Sequence, residues 1–216
     1  MAQNKLSVYN IALLAIGEAT LTSLTEATEA RRVLDEVYNR GDGAIKYCLE
    51  QGLWNFAMRA VAVSSSTSVT PDFGFQFAFD LPSDFVRLDM ISGGESFGAP
   101  LTQYEFEGSY IYANVTTLYM RYVSDDASWG ADLAKWPETF ADCVGFYLAS
   151  RIAPRLKNDV DTRELKAEMR AVFAHARSKD TSQEPTRFEP PGSWSTARRG
   201  GVSSRRDRGT RSSLLG

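Results

Sequence analysis

The chain has 216 residues, 43% apolar and 12% aromatic, with a formal charge of −3. That is length enough for one or two domains with a real core, and no apolar run approaches the roughly 18 residues of a membrane helix, so no membrane span is expected. The charge is divided: Thr181 to Gly216 carries seven Arg against three acidic residues, +4, which leaves −7 on Met1 to Asp180. An acidic body with a basic tail implies a tail that docks on something negative, such as another protein, nucleic acid or a membrane surface, or one that stays solvated.

In chain order, Ser7 is a candidate N-cap for a helix to about Glu18, with Ile11, Leu14 and Ala15 at helical spacing and Gly17 at the exit. The short Ile11 to Ile16 patch suits this helix better than a secretory leader, so a protein made in a cytoplasm with nothing cleaved is expected. A second helix is expected from near Thr25, with Glu26 and Glu29 favouring its positive end. Its apolar face carries Val33, Leu34, Val37 and Tyr38, then Ile45, Cys48 and Leu49, and Gly41-Asp42-Gly43 predicts a bend or break within it.

After Gly52 to Ala57 the pattern turns to strands. Ala60 to Ser65 alternates, and Phe73, Phe75, Phe77 and Phe79 keep a strict period of two, which places all four on one side of a sheet. Leu81-Pro82-Ser83-Asp84 reads as a turn. Phe85 to Ile91, Leu101 to Phe106, Tyr110 to Ala113 and Thr117 to Val123 read as further short strands, punctuated by Gly93-Gly94 and Gly108-Ser109. Helices then return. Pro137 is expected at the first helical position, with Phe140, Val144, Phe146, Tyr147 and Leu148 following to about Ile152, and Pro154 ending or kinking the helix. Asp159 or Asp161 caps a last helix whose face carries Leu165, Met169, Val172, Phe173 and Ala176.

The expected fold class is therefore α+β: an antiparallel helical bundle from residues 1–58 and 134–181, an antiparallel β meander or sandwich inserted at 59–133, and an extended basic C-terminal tail at 182–216. The two helical halves must pack together, because neither has enough apolar area alone. Glu189-Pro190-Pro191-Gly192 is a stiff element, and Ser193 to Gly216 cannot form a core.

Catalytic spacing is sparse. The one histidine, His175, and the isolated Cys48 and Cys143 cannot make a common zinc site, and only His175 could serve as the base of a triad. Ser92-Gly93-Gly94 lacks the Lys of a phosphate loop, and Ser64-Ser65-Ser66 and Ser193 lack an elbow spacing. Asp125-Asp126 reads as a solvated turn. The Phe73 to Phe79 alternation has no interleaved base, so a buried sheet face is expected in place of a base-stacking platform. No cofactor, no metal and no catalytic residue is expected.

Four stretches, in order, resemble the tail tubular protein A family, the head-to-tail adaptors of short-tailed phages. They are SVYNIALLAIGEATLTSLTEATEARRVLDEVYN from Ser7; Leu53 to Ala60; Phe79 to Arg87; and Trp136 to Phe140 followed by Tyr147 to Ala153. Each is weakly specific alone, and together they span roughly residues 7 to 180. The Gly41-Asp42-Gly43 break and the length of the Arg-rich end depart from the pattern. The resemblance implies a non-enzymatic virion protein of the neck and tail, assembled in the host cytoplasm. It would form a twelve-copy homo-oligomeric ring between the portal protein and the tail nozzle, with DNA passing through the channel without specific binding. On that reading an acidic bore lets the genome slide. The tail, through Phe188, Trp194, Arg198, Arg199, Arg205, Arg206, Arg208 and Arg211, docks on the portal, since Trp and Arg are common interface anchors. The alternatives are a DNA-binding virion protein acting through its Arg-rich tail, an adaptor with cell-wall hydrolase activity, which would need two carboxylates across a cleft, and an adaptor of a long-tailed phage.

Overall fold

The computed structural model describes residues 3–183 apart from 42, 98, 99, 158 and 159. It is an α+β structure with helices and two antiparallel sheets. Helix α1 (Lys5–Ala15) begins earlier than expected. Asn4, not Ser7, is its N-cap. Asn4 Oδ1 accepts the Ser7 backbone N–H at 2.7 Å and Ser7 Oγ accepts the Asn4 N–H at 3.1 Å, a reciprocal capping box. The shifted start changes the buried face to Val8, Tyr9, Ala12 and Leu13, while Leu14 is 65% exposed. In a run this uniformly apolar, spacing alone does not select the buried face. Gly17 takes a left-handed conformation and ends the helix, with Glu18 N–H donating to the Leu13 carbonyl at 2.9 Å.

Helix α2 (Glu29–Tyr38) starts four residues later than Thr25, behind the Thr28 cap. Glu26 is not in its first turn. Its carboxylate accepts backbone N–H groups from Thr22 and Ser23 and holds a loop there. The glycine break is present, and helix α3 (Gly43–Glu50) follows it. Helix α4 (Glu138–Leu156) has Pro137 as its cap, one position outside the expected place, and runs through Pro154 without stopping. The proline sits in the last turn and removes only its own donor, while Lys157 N–H still reaches the Ala153 carbonyl at 2.9 Å. Helix α5 (Thr162–Thr181) is capped by Asp161, whose Oδ1 accepts from Arg163 N–H at 2.7 Å.

Helices α1, α2, α3 and α5 all contact α4. The α1–α4 approach is close because Gly145 leaves room for Ile11; a Cβ at Gly145 would lie 2.4 Å from Ile11 Cγ2. Their shared core includes Leu13, Leu34, Leu49, Phe140, Leu148 and Phe173.

The strands are β1 (Met58–Ser64), β2 (Phe77–Asp80), β3 (Phe85–Ser92), β4 (Tyr104–Glu107), β5 (Tyr110–Ala113) and β6 (Thr117–Ser124). One sheet has the order β1-β6-β3 and the other β2-β5-β4, so only β4 and β5 pair as sequence neighbours joined by a tight turn. The expected Phe73 to Phe79 strand is halved. Only Phe77 to Asp80 is strand, and Phe73 is 88% exposed in the preceding loop. The ladder there pairs Phe77 to Asp80 with Ala113 to Tyr110, and the four-residue β5 has no further partner to give Phe73 and Phe75. Leu101 likewise precedes β4 and makes a single bond to the Ile91 carbonyl at 2.8 Å.

The β1-β6-β3 sheet has two buried faces. Leu118, Met120 and Tyr122 join Ile91, Phe79 and Ile111 in a second core between the sheets. Val123, Met58 and Val86 join the helical core on the other side. Two irregularities in the β3–β6 ladder, between Phe85 and Arg87 and between Leu88 and Met90, turn β3 so that Val86 faces the helices while Phe85 and Leu88 face the second sheet.

The chain leaves the helices at Trp54 and returns at Trp136. Both indoles meet the Phe140 ring edge-on at 4.9 Å, and Phe56 meets it at 4.8 Å. Each indole N–H is satisfied by backbone, Trp54 at Cys48 O (3.1 Å) and Trp136 at Gly130 O (2.8 Å). Truncating Phe140→Ala is expected to lower unfolding stability by about 3–5 kcal/mol in urea titrations, since it empties a buried site that three other rings share. Gly145→Val is expected to destabilise by about 1–3 kcal/mol through overpacking, with Ile11→Ala in the same chain recovering part of the loss.

Candidate functional site

The sequence-predicted docking residues Phe188, Trp194, Arg198, Arg199, Arg205, Arg206, Arg208 and Arg211 lie outside the described residues. The other candidates are placed. Cys48 and Cys143 are free and buried; burial pushes both thiols up, Cys143 to about 12, with the Asp142 carboxylate adding to the shift. His175 is exposed on α5, beside Thr139 and Asp142 of α4. Asp125 pairs with Lys46 at 3.8 Å, and Asp126 accepts the Ser128 backbone N–H at 2.8 Å, so the two carboxylates are used separately in a turn. Ser92 Oγ accepts the Gly94 N–H at 3.1 Å and closes the Ser92-Gly93-Gly94 turn on itself. Among the described residues no three His, Cys, Asp or Glu side chains are grouped to hold a metal, and no helix is long and apolar enough to cross a membrane.

A polar lock holds the turn before β3 to strands β1 and β6. Asp84, at the end of the Leu81 to Asp84 turn, accepts hydrogen bonds from Arg59 Nη1 (2.7 Å), Tyr122 Oη (3.0 Å) and Ser124 Oγ. Its side chain is 12% exposed. Burial alone would raise its pKa, but the bonds from Ser124, Arg59 and Tyr122 outweigh burial and hold it below the ordinary aspartate value. Burial, and then the Asp84 carboxylate, push the Tyr122 phenol up against the opposing Arg59 guanidinium. A second lock binds α1 to α2: Asp35 accepts from Lys5 Nζ (2.8 Å), Tyr9 Oη (2.7 Å) and Arg31 Nη1 (3.1 Å). A third ties the end of α5 to the start of the β excursion, where the Asp180 carboxylate accepts the Asn55 N–H at 3.1 Å and Asn55 Nδ2 donates to the Asp180 carbonyl at 2.9 Å.

Two surfaces stand apart from these locks. The first is a depression of about 420 Å³ among α3, α4 and α5. Tyr47 and Tyr147 stack in it at 4.3 Å, and the Arg151 guanidinium lies 5.3 Å from the Tyr147 ring centre. Lys166 and Arg170, one turn apart on α5, complete it. All three cations are exposed, and none has a carboxylate at ion-pair distance among the described residues. The second is the outer face of the β2-β5-β4 sheet. The register aligns Asp80 and Glu107 with Tyr110, and Glu105 with Tyr112. The Tyr112 phenol is pushed up, first by desolvation and then by the nearby Glu107 carboxylate, with Tyr110 and Asp72 adding less. Again no cation pairs with these carboxylates among the described residues.

Sequence reasoning did not single out either surface. The usable signals were the four-residue spacings Tyr147–Arg151 and Lys166–Arg170, which place each pair on one helix face. Nothing local joins them to Tyr47, a hundred positions earlier. No protein-family model matches the chain, and no curated protein matches it in sequence.

The Asp84 lock has a pH signature. A depressed folded-state pKa contributes stability that is fully present above the unfolded value of about 3.9 and is lost as pH falls through the lower folded value. Asp84→Asn is expected to lower stability by about 1–3 kcal/mol at pH 7, because a neutral amide accepts the bonds of Ser124, Tyr122 and the partly exposed Arg59 more weakly. Denaturant unfolding of both proteins from pH 7 down to pH 3 should show the gap narrowing below about pH 4.

Proposed function

We propose that this chain is a non-enzymatic structural adaptor, one subunit of a homo-oligomeric ring that joins the portal protein of a short-tailed phage to its tail nozzle. The helices about α4 would be the antiparallel bundle of the ring body, the paired sheets its inserted β meander or sandwich, and the residues from 182 onward an extended portal-docking tail.

One observation carries the reading: the stretches that resemble the adaptor family meet one another in space. Ile11 of the first lies against Gly145 of α4, the helix that bears the last. Trp54 of the second packs on Phe140 of the last, and Arg59 of the second binds Asp84 of the third. Arg87, also in the third, donates to the Glu50 carbonyl at the end of α3 at 3.0 Å. Residues that are scattered along the sequence and yet mutually in contact are what a shared fold requires, whereas chance matches would fall on unrelated surfaces. The charge supports the same reading: a body at −7 repels DNA phosphates and suits a channel through which DNA slides.

Electron microscopy and native mass spectrometry of the purified chain, alone and with a candidate portal, test this. A closed ring of about twelve copies that binds the portal is expected, closed rings being the usual outcome of head-to-tail contacts. A chain that stays monomeric under both conditions refutes the proposal. Deleting residues 193–216 is expected to weaken portal co-assembly while leaving the ring intact, and unchanged co-assembly would remove the tail from the portal contact. Retained DNA, released by salt with a steep slope and lost on tail removal, would instead favour a DNA-binding virion protein.

A further inference from the structure

We infer that the Tyr47–Tyr147 depression receives the carboxylate–tyrosine sheet face of a second copy of this chain, so that copies join head to tail. The inference rests on the ring reading above and names the contact that would build the ring.

The depression offers Arg151, Lys166 and Arg170 without a carboxylate partner among the described residues. A protein whose body is −7 carries few such clusters of unopposed cations, and a cluster of this kind selects an anionic occupant. Nucleic acid fits poorly. Tyr147 is already engaged by Tyr47 and Arg151, which leaves little ring face for a base to stack on. Protein carboxylates presented on a rigid element fit better, because a short row of them can meet several cations at once.

The outer face of the β2-β5-β4 sheet presents such a row. Glu105 and Glu107 are alternate residues of β4, so they point to one side, and Asp80 lies across Tyr110 from Glu107. All three carboxylates are exposed. Tyr110 and Tyr112 between them match the tyrosine pair of the depression, adding aromatic area and hydroxyl groups to the ionic contact. The two surfaces belong to different cores, the depression to the helical one and the carboxylates to the one between the sheets. Within the chain the cations and carboxylates do not meet, so their complementarity is met between copies. A contact between two different patches is heterologous, and heterologous contacts close into rings when the rotation permits. Charges that oppose across such a contact fix its register and exclude the reverse pairing.

Two double reversals test the contact in the full-length chain: Lys166→Glu with Arg170→Glu, and Glu105→Lys with Glu107→Lys. All four side chains are exposed, so the fold tolerates both, and circular dichroism checks that it does. Mass is followed by light scattering across protein concentration. Each reversed chain alone is expected to associate at least about tenfold more weakly than the unaltered chain, since like charges then face each other. An equimolar mixture of the two is expected to regain assembly, because the negative depression of one accepts the positive face of the other and the converse pair is native. Recovery in the mixture is an outcome that a merely misfolded variant cannot produce. Rings that form normally from either reversed chain overturn this contact and leave the ring reading standing. An unaltered chain that is monomeric with and without portal overturns both. Loss of assembly from the Lys166 and Arg170 reversal with no effect of the other overturns the carboxylate–tyrosine sheet face as the occupant.

Discussion

Phe140 is where the chain closes on itself. Eighty-one residues separate Trp54 from Trp136, and the loop they bound contains both sheets. Closing a loop of that length has an entropic cost that grows slowly with its size but must be met before any distant contact forms. The edge-on contacts of both indoles with one ring, each about 4.9 Å between centres, meet that cost at a single buried point. Phe140 is in the first turn of α4, so the same event seats the helix on which α1, α2, α3 and α5 all pack. The excursion and the helical layer are thus not independent: whatever loosens Phe140 loosens the junction and the helical core together.

The β1-β6-β3 sheet transmits that constraint outward. Alternate residues of β6 serve two cores, Val123 toward the helices and Leu118, Met120 and Tyr122 toward the second sheet. A strand used on both faces has its register strongly specified, since a one-residue slip would exchange its two apolar sets. Asp84 adds direction to this packing. Its carboxylate collects Arg59 from β1 and Tyr122 and Ser124 from β6, so the turn before β3 is held to the central strand and, across it, to the far edge strand. Apolar layers alone tolerate sliding; a nearly buried carboxylate with three donors does not, because each lost bond leaves a polar group without water.

What the sequence could reveal follows the range of the forces involved. Local signals were readable: the glycine break after α2, the Asp161 cap, the α5 apolar face, and β5 and β6 nearly to the residue. The errors lie where a longer-range partner decides. Ser7 looked like a cap because the hydroxyl chemistry is right, yet Asn4 takes that role and Ser7 answers it from the third helical position. Glu26 looked like a helix-start residue and is instead a loop acceptor. The Phe73 to Phe79 alternation satisfied strand periodicity over its whole length, but a strand exists only where another pairs with it, and β5 is four residues long. Pro154 was expected to end or kink the helix because its effect is large in a helix interior; near a C-terminus it removes one bond and little more. The two charged surfaces were invisible for a stronger reason. Tyr47, Tyr147 and Lys166 come together only through the packing of three helices, and no spacing rule encodes that.

The separation of charge along the chain repeats in the folded body. Carboxylates that stabilise the fold are paired with cations: Asp35 with Lys5 and Arg31, Asp84 with Arg59, and Asp89 with Arg121. Among the described groups left without an ion pair, two clusters are of one sign: Arg151, Lys166 and Arg170 at the Tyr47–Tyr147 depression, and Asp80, Glu105 and Glu107 on the β2-β5-β4 sheet; α4 and α5 also carry the carboxylates Glu138, Asp142, Glu164 and Glu168. Random placement of surplus charge would intermix signs, and selection for solubility alone would also favour mixing. Sorted surplus charge raises the electrostatic self-energy of an isolated chain and lowers it only when unlike faces meet. A protein that works as one copy among many can sustain that arrangement, because each copy supplies the face its neighbour lacks. The sequence beyond residue 182 carries seven Arg against three acidic residues, the opposite balance to the body. In the proposed ring the two patches would serve the contact between copies, and the basic tail would serve the portal.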